Sequence, residues 1–396
     1  MDREALVHRN RVMAEAFHRP ALKHLVRRAM LRTLAAIPVT NRKARGERIL
    51  LIRPDHLGDV LLTIPAVNAL RTARPHAEIH MLVGPWSADV MANQDAVDMV
   101  LTLPFPGFNR GGKPGIAVPY RLALRAANQL RHIGYSSAVI LRPDHWWGAM
   151  VASFAGIPQR IGYELPDVAP FLTHKIPWEH QHAVHQNARL MEQWTGQLNP
   201  ERLRYEFPLH DDDRGYIDGY LSEWGIAPDQ RIFCIHPGSG TWAKRWEPQY
   251  WADVADTLAD QLDAQVVFTG GDHELSLVQT ITGHMRHTAC LMVGDTEIGQ
   301  LAALYARARV VLGPDSGPMH LAAAVHTPTV TLFGPADPVE FAPWGERSRH
   351  LVLTSEIGCR PCRVLDWGSD NPEFHPCVRE ITIGRVLEAA RLAANS

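Results

Sequence analysis

The feature that most constrains the fold is an alternation of short apolar runs with amphipathic segments, met twice along the chain. Arg48-Ile-Leu-Leu-Ile-Arg53 is wholly apolar between its ends, the mark of a strand covered on both faces, as in a parallel sheet. The loop Pro54-Asp-His-Leu-Gly58 follows, then a helical stretch with Val60, Ile64 and Val67 on one side, which Pro65 must kink or restart. Further strands are expected near 78–83, 97–103 and 137–142, with helices near 119–133 and 144–155. A charged, Pro- and Asp-rich stretch at 197–212 interrupts the pattern. Beyond it, 231–235, 265–269, 290–293, 310–312 and 329–333 read as five strands, and Trp251, Val254, Ala255, Leu258 and Leu262 form an apolar helical stripe. Strands alternating with helices imply parallel sheets. The expected class is therefore α/β, in two doubly wound domains, with ligands at the carboxyl ends of the strands.

Composition narrows the class further. A chain of 396 residues, 46% hydrophobic and 21% charged, suits two globular domains and excludes a disordered or collagenous chain. No run approaches the roughly 18 consecutive apolar residues of a spanning helix, and no secretory signal is written at the start, so a cytoplasmic location is expected. Residues 1–48 hold 12 Lys/Arg against 4 Asp/Glu, whereas the rest holds 28 against 38. Within this basic arm Leu22, Leu25, Val26, Ala29, Met30, Leu34 and Ile37 recur at helical spacing, with Lys23, Arg27, Arg28 and Arg32 between them. Such a helix either packs on the acidic body or lies on an anionic membrane through residues 1–46. Nucleic-acid binding has little support from a short arm without a recognisable domain.

Chemistry belongs to the loops that leave the strands. In His236-Pro-Gly-Ser-Gly-Thr-Trp-Ala-Lys-Arg245 small residues let backbone N–H groups approach an anion, and Lys244 adds a point charge. The loop lacks the Gly-Lys-Ser/Thr triplet of a P-loop and the GxGxxG spacing, and by itself is compatible with a plain turn. In Gly313-Pro-Asp-Ser-Gly-Pro-Met-His320, Ser316 and Gly317 lie at an expected helix start, where free N–H groups attract phosphate. The alternative is that Asp315 or Ser316 merely caps that helix. Two such loops on neighbouring strands favour a diphosphate. A short echo is also present: Ile52-Arg-Pro-Asp-His56 and Leu141-Arg-Pro-Asp-His145 leave their strands through the same four residues.

Five ordered motifs carry a family resemblance. Ile52-Arg-Pro-Asp-His-Leu-Gly-Asp-Val60 with Pro65, the His236-Pro-Gly-Ser loop with Lys244 and Trp246, Gly270-Gly-Asp-His-Glu274, Gly313-Pro-Asp-Ser-Gly-Pro-Met-His320 and Leu332-Phe-Gly-Pro-Ala-Asp-Pro338 resemble glycosyltransferase family 9, the ADP-heptose:lipopolysaccharide heptosyltransferases. The resemblance spans roughly residues 48–392 and leaves out the arm. It implies a GT-B architecture of two facing Rossmann-like domains and an inverting transfer from an ADP-sugar to a hydroxyl of lipopolysaccharide core or of another glycan or protein acceptor. It implies no cofactor for catalysis. The expected layout is an arm at 1–47, an acceptor-side domain at 48–200, a nucleotide-sugar domain at 201–382, and a C-terminal helix at 383–396 of the kind that often returns to the first domain. By position Asp59 resembles the catalytic base and Lys244 the lysine that meets the donor phosphates. Asp315, Ser316, Gly317 and His320 match the loop around pyrophosphate and ribose, and Glu274 falls near the nucleoside contacts. Ser239 and Gly240 stand where some heptosyltransferases carry Thr-Thr, which leaves a backbone contact to phosphate.

That mechanism is chemically economical. Transfer to a hydroxyl needs one carboxylate to take the proton, while the nucleoside diphosphate leaves as a stable anion and needs positive potential, not an acid. Asp55 and Asp144 rival Asp59, because each sits in a loop after a strand with a His following. On the acceptor side Asp55, Arg142, Asp144 and His145 are candidates, with Arg110, Lys113 and the Trp146-Trp147 pair. A nucleotide-sugar epimerase and a silent sugar-nucleotide binding module are the other readings. Finally, Cys359-Arg-Pro-Cys362 with His375-Pro-Cys377 offers ligand spacing for a structural zinc or iron, or else three cytoplasmic thiols in a loop.

Overall fold

A computed structural model of the chain describes residues 2–41, 43–108, 115, 117–368 and 370–396. The chain divides into two compact units, Pro20–Arg204 and Met1–Arg19 with Tyr205–Ser396.

In the first unit β1 (Arg48–Arg53), β2 (Glu78–Val83), β3 (Met99–Thr102), β4 (Ser137–Ile140), β5 (Gln159–Tyr163) and β6 (His174–Ile176) form a sheet in the order β3-β2-β1-β4-β5-β6, every pair parallel. Ile49 to Ile52 of β1 are completely buried, as a central strand covered on both faces requires. The second sheet contains β7 (Ile232–Ile235), β8 (Gln265–Gly270), β9 (Cys290–Val293), β10 (Val310–Pro314), β11 (Thr329–Phe333) and β12 (His350–Thr354), ordered β12-β11-β10-β7-β8-β9 and again all parallel. Three strands escaped the sequence reading. Strand β5 carries Gln159, Arg160 and Gly162, while β6 and β12 are sheet edges, where no continuous apolar run is needed. Helix ends follow local rules. Helix Val118–Ile133 stops at Gly134 in the left-handed region, and Pro65 starts a second helix: α3 (Leu57–Leu61) ends and α4 (Ile64–Ala73) begins with Pro65 in its first turn.

The arm, expected as one basic piece, is divided between the units. In α1 (Arg3–His18) Arg3 pairs with Glu380 at 3.0 Å and Arg9 with Asp370 at 2.8 Å, while Asn10 Nδ2 donates to the Phe374 carbonyl at 2.7 Å, all within the second unit. In α2 (Leu22–Ala35) Arg27 and Arg28 meet Asp167 of the first unit at 2.7 and 2.9 Å, and Leu31 enters its core. Of the two placements expected for the apolar stripe, on the body or on a membrane, packing on the body is largely not seen: Leu22, Leu25, Val26, Met30 and Ile37 are exposed. The terminal helix Ile383–Ala394 places Val386, Ala389, Ala390 and Ala393 in the core of its own unit with Trp246 and Trp251.

Candidate active site

In the first unit the two Arg-Pro-Asp-His loops leave hydrogen-bonded neighbours, because Ile52 of β1 lies beside Ile140 of β4. The echo therefore becomes one ionic cluster. Arg53 Nε meets Asp55 Oδ2 at 2.7 Å, and Arg142 binds the other oxygen of the same carboxylate. Burial would raise the pKa of Asp55, but the two guanidiniums overcome this and hold it below the usual carboxylate range. Asp59, in the single turn α3, receives Arg53 Nη2 at 3.3 Å and is 37% exposed at its side chain, against 3% for Asp55. Asp144 is 63% exposed and takes Arg142 Nε at 2.6 Å. His145 is buried against Phe105, Phe108 and Trp147, with neither ring nitrogen hydrogen-bonded among the described residues. Arg110 and Lys113 lie outside the described residues.

In the second unit three loops leave the adjacent strands β10, β7 and β8. The first two abut, since His236 N donates to the Leu312 carbonyl at 2.9 Å. A Cβ at Gly313 would come within 2.6 Å of the His236 carbonyl, and one at Gly238 within 1.8 Å of Glu274 Oε1, so this close approach depends on glycine. Glu274 is buried and accepts Gly271 N at 3.0 Å, with His236 Nε2 3.6 Å away. Lys244 Nζ meets Asp315 Oδ2 at 2.5 Å. Ser239 Oγ is turned inward, donating to the Thr241 carbonyl at 2.8 Å, which leaves Gly240 as the bare backbone of the loop. Ser316 is the N-cap residue of helix Gly317–Ala324, yet its side chain makes no capping bond. Among the described residues, Ser316 Oγ and His320 Nδ1 are buried polar atoms with no hydrogen bond. Such orphans are costly in a finished structure, and here both stand beside a lysine and a helix start.

Burial pushes His320 down to about 4 and His145 down to about 3. Both folded values lie below the ordinary histidine value, so the folded chain binds fewer protons than the unfolded one. The stability this represents is present above about pH 6.5 and is lost as pH falls toward 4. Unfolding by urea at pH 7.5 and at pH 4.5 should differ by on the order of 2 kcal/mol for each histidine. His320→Gln should remove its share; an unchanged pH difference would exclude His320 as a source.

The proposed metal ligands are not assembled as such. Cys359, Cys362, His375 and Cys377 line one small cavity together with Arg360, but among the described residues no group of three or more His, Cys, Asp or Glu side chains is arranged to hold an ion. His375 gives Nε2 to Asp370 at 2.8 Å and stacks on Trp367 with ring centroids 4.2 Å apart. Burial pushes the Cys377 thiol up to about 12 and also raises Cys362, and Arg360 puts a cation among them.

Sequence reading missed Arg53, whose signal was present in the repeated Arg-Pro-Asp-His. It also missed Tyr205, whose hydroxyl donates to the His320 carbonyl at 2.9 Å and for which nothing local gave a sign.

Comparison with known proteins bears on this arrangement. Lipopolysaccharide heptosyltransferase 2 of Escherichia coli K12 is 26% identical over 358 residues, covering 86% of this chain and 97% of that protein. The crystal structure of the glycosyl transferase family 9 from Veillonella parvula DSM 2008 superposes with a TM-score of 0.73 at 24% identity, over 91% of this chain and all of that one. E. coli ADP-heptose lps heptosyltransferase II gives 0.68 at 22% identity, over 88% and 98%. These two share the fold, the GT-B pairing of Rossmann-like units expected from the motifs. The family description "Glycosyltransferase family 9 (heptosyltransferase)" matches residues 123–366, which takes in the second Arg-Pro-Asp-His loop and all three loops at β7, β8 and β10. The chain with these two clusters belongs to glycosyltransferase family 9 and is a glycosyltransferase.

Proposed function

We propose that the chain transfers a heptose from ADP-heptose to a hydroxyl of lipopolysaccharide core, with inversion at the anomeric carbon. The observation that carries this reading is the pair of abutting loops in the second unit. They offer Lys244, bare backbone at Gly240 and Gly317, and Ser316 Oγ and His320 Nδ1, which have no hydrogen bond among the described residues, a set suited to a diphosphate. ADP-heptose and lipopolysaccharide are the ligands named for the similar enzymes above. On this reading the Asp59 carboxylate takes the proton of the acceptor hydroxyl as its oxygen attacks the sugar. ADP departs toward Lys244 and the N-terminus of helix Gly317–Ala324, and Glu274 and Asp315 order the nucleoside end.

Asp55 is ill suited to be the base, because two arginines stabilise its ionised form and leave it little affinity for a proton. It instead fixes Arg142 and Arg53 on the acceptor side, with Asp144 and His145 nearby. No cofactor enters this scheme. A lipid-linked acceptor also implies work at an anionic inner-membrane surface.

Thermal-shift measurements against ADP-, UDP- and GDP-sugars test the donor. A shift with the ADP-sugar is expected in EDTA as well as without it, because a lysine and a helix N-terminus supply the positive potential. Preference for a UDP- or GDP-sugar would overturn the donor assignment.

A further inference from the structure

Helix α2 is apolar on two faces, with Leu31, Leu34 and Ala35 packed on the core of the first unit. Arg27 and Arg28 point inward to Asp167, while Leu22, Leu25, Val26, Met30 and, beyond the helix end, Ile37 follow the opposite face and are exposed, Leu22 by 76% and Val26 by 63%. A contiguous apolar face of this kind marks an interaction surface. At its carboxyl end the face runs into a groove of about 500 Å³ lined by Leu34, Ile37, Tyr120, Leu124, Met150 and Phe154, with Leu124 itself 58% exposed.

The two chain segments that form this surface carry only basic charges, and the one carboxylate named against α2, Asp167, is taken up by Arg27 and Arg28. No acidic residue occurs between Glu15 and Glu47, a stretch with eight Lys/Arg, or between Asp98 and Asp144, a stretch with six. Lys23 and Arg32 on α2 and Arg121 and Arg125 on helix Val118–Ile133 are exposed, and Arg131 lines the groove. The chain as a whole carries a net charge of −2, so this basic rim is a local feature.

We infer that the outer face of α2 with the groove against helix Val118–Ile133 is a docking surface for an anionic phospholipid bilayer. Leucine, valine and methionine side chains enter the boundary between headgroups and acyl chains, and the lysine and arginine rim takes the headgroup phosphates. A second copy of the chain fits less well, since a two-fold contact would bring like charges together. Helix α1 is left out of this surface, because Arg3 and Arg9 are bound to Glu380 and Asp370, and Arg11 to the Gly358 carbonyl, all of the second unit. The inference rests on the lipid-linked acceptor proposed above for its purpose, and its test uses neither donor nor acceptor.

The full chain is sedimented with vesicles of phosphatidylethanolamine and phosphatidylglycerol, and with phosphatidylcholine vesicles as the neutral control. The bound fraction should be high on the anionic vesicles, fall with added salt, and be low on the neutral ones. Leu22→Ser with Val26→Glu, and separately Arg121→Glu with Arg125→Glu, should each weaken anionic-vesicle binding by more than about tenfold. Circular dichroism melting within a few degrees of the parent shows that these exposed substitutions leave the fold intact. Equal binding to neutral vesicles, no binding by the parent, or folded variants that bind as the parent does would each overturn the inference. So would a parent dimer in sedimentation velocity that Leu22→Ser with Val26→Glu splits while vesicle binding persists.

Discussion

Replacing Asp59 by alanine should lower turnover by about 10²-fold or more and leave ADP affinity within a few-fold, because a positioned general base contributes that much to proton removal. The carboxylate is suited to the task by contrast with its neighbours. Asp55 is buried and held by Arg53 and Arg142, and Asp144 is largely solvated and paired with Arg142. Asp59 lies between these extremes, partly exposed, with Arg53 Nη2 at 3.3 Å. Asp55→Asn should behave differently. It leaves two guanidiniums short of a buried counter-charge and should cost on the order of 3 kcal/mol in stability, by the cost of breaking a buried pair. Steady-state kinetics with a competent acceptor, read beside urea unfolding, separates the two residues. If Asp59→Ala turns over normally while the asparagine at 55 folds as well as the parent but is inactive, the roles are reversed.

Lys244→Ala should weaken ADP binding by about 1.5–3 kcal/mol, the range for a hydrogen bond to a charged group, and change adenosine binding very little. The ion pair with Asp315 adds a further consequence. Without the lysine, the buried Asp315 carboxylate is left to repel the diphosphate, so the loss should lie toward the upper end of the range. Lys244→Ala combined with Asp315→Asn should then recover part of the ADP affinity. Calorimetry with ADP, AMP and adenosine reads all three expectations. An equal loss for adenosine and ADP would place Lys244 away from the phosphates.

The sequence by itself determined the two parallel sheets. A strand covered on both faces must be apolar at nearly every position, and Arg48-Ile-Leu-Leu-Ile-Arg53 and its counterparts satisfy that in any context. The loops at β7 and β10 were legible for a related reason, since at Gly313 the His236 backbone, and at Gly238 the buried Glu274 side chain, take the space a Cβ would need. Edge strands were not legible, because β6 and β12 are held by backbone pairing on one side and need no apolar signature.

Tertiary structure alone decided which carboxylate is locked. Asp55 and Asp144 share the sequence context Arg-Pro-Asp-His, and only the packing of β1 beside β4 brings both arginines onto one of them. The same holds for the cysteine cluster, whose spacing suits a metal although His375 is turned to Asp370 and Trp367. It holds most clearly for α2. Periodicity shows that a helix has an apolar face; whether that face points inward depends on its partners, and here Asp167 and the core hold Arg27, Arg28 and Leu31 and leave Leu22, Leu25, Val26 and Met30 outside. Periodicity is a local property of the chain, whereas burial and charge pairing are set by residues far away along it.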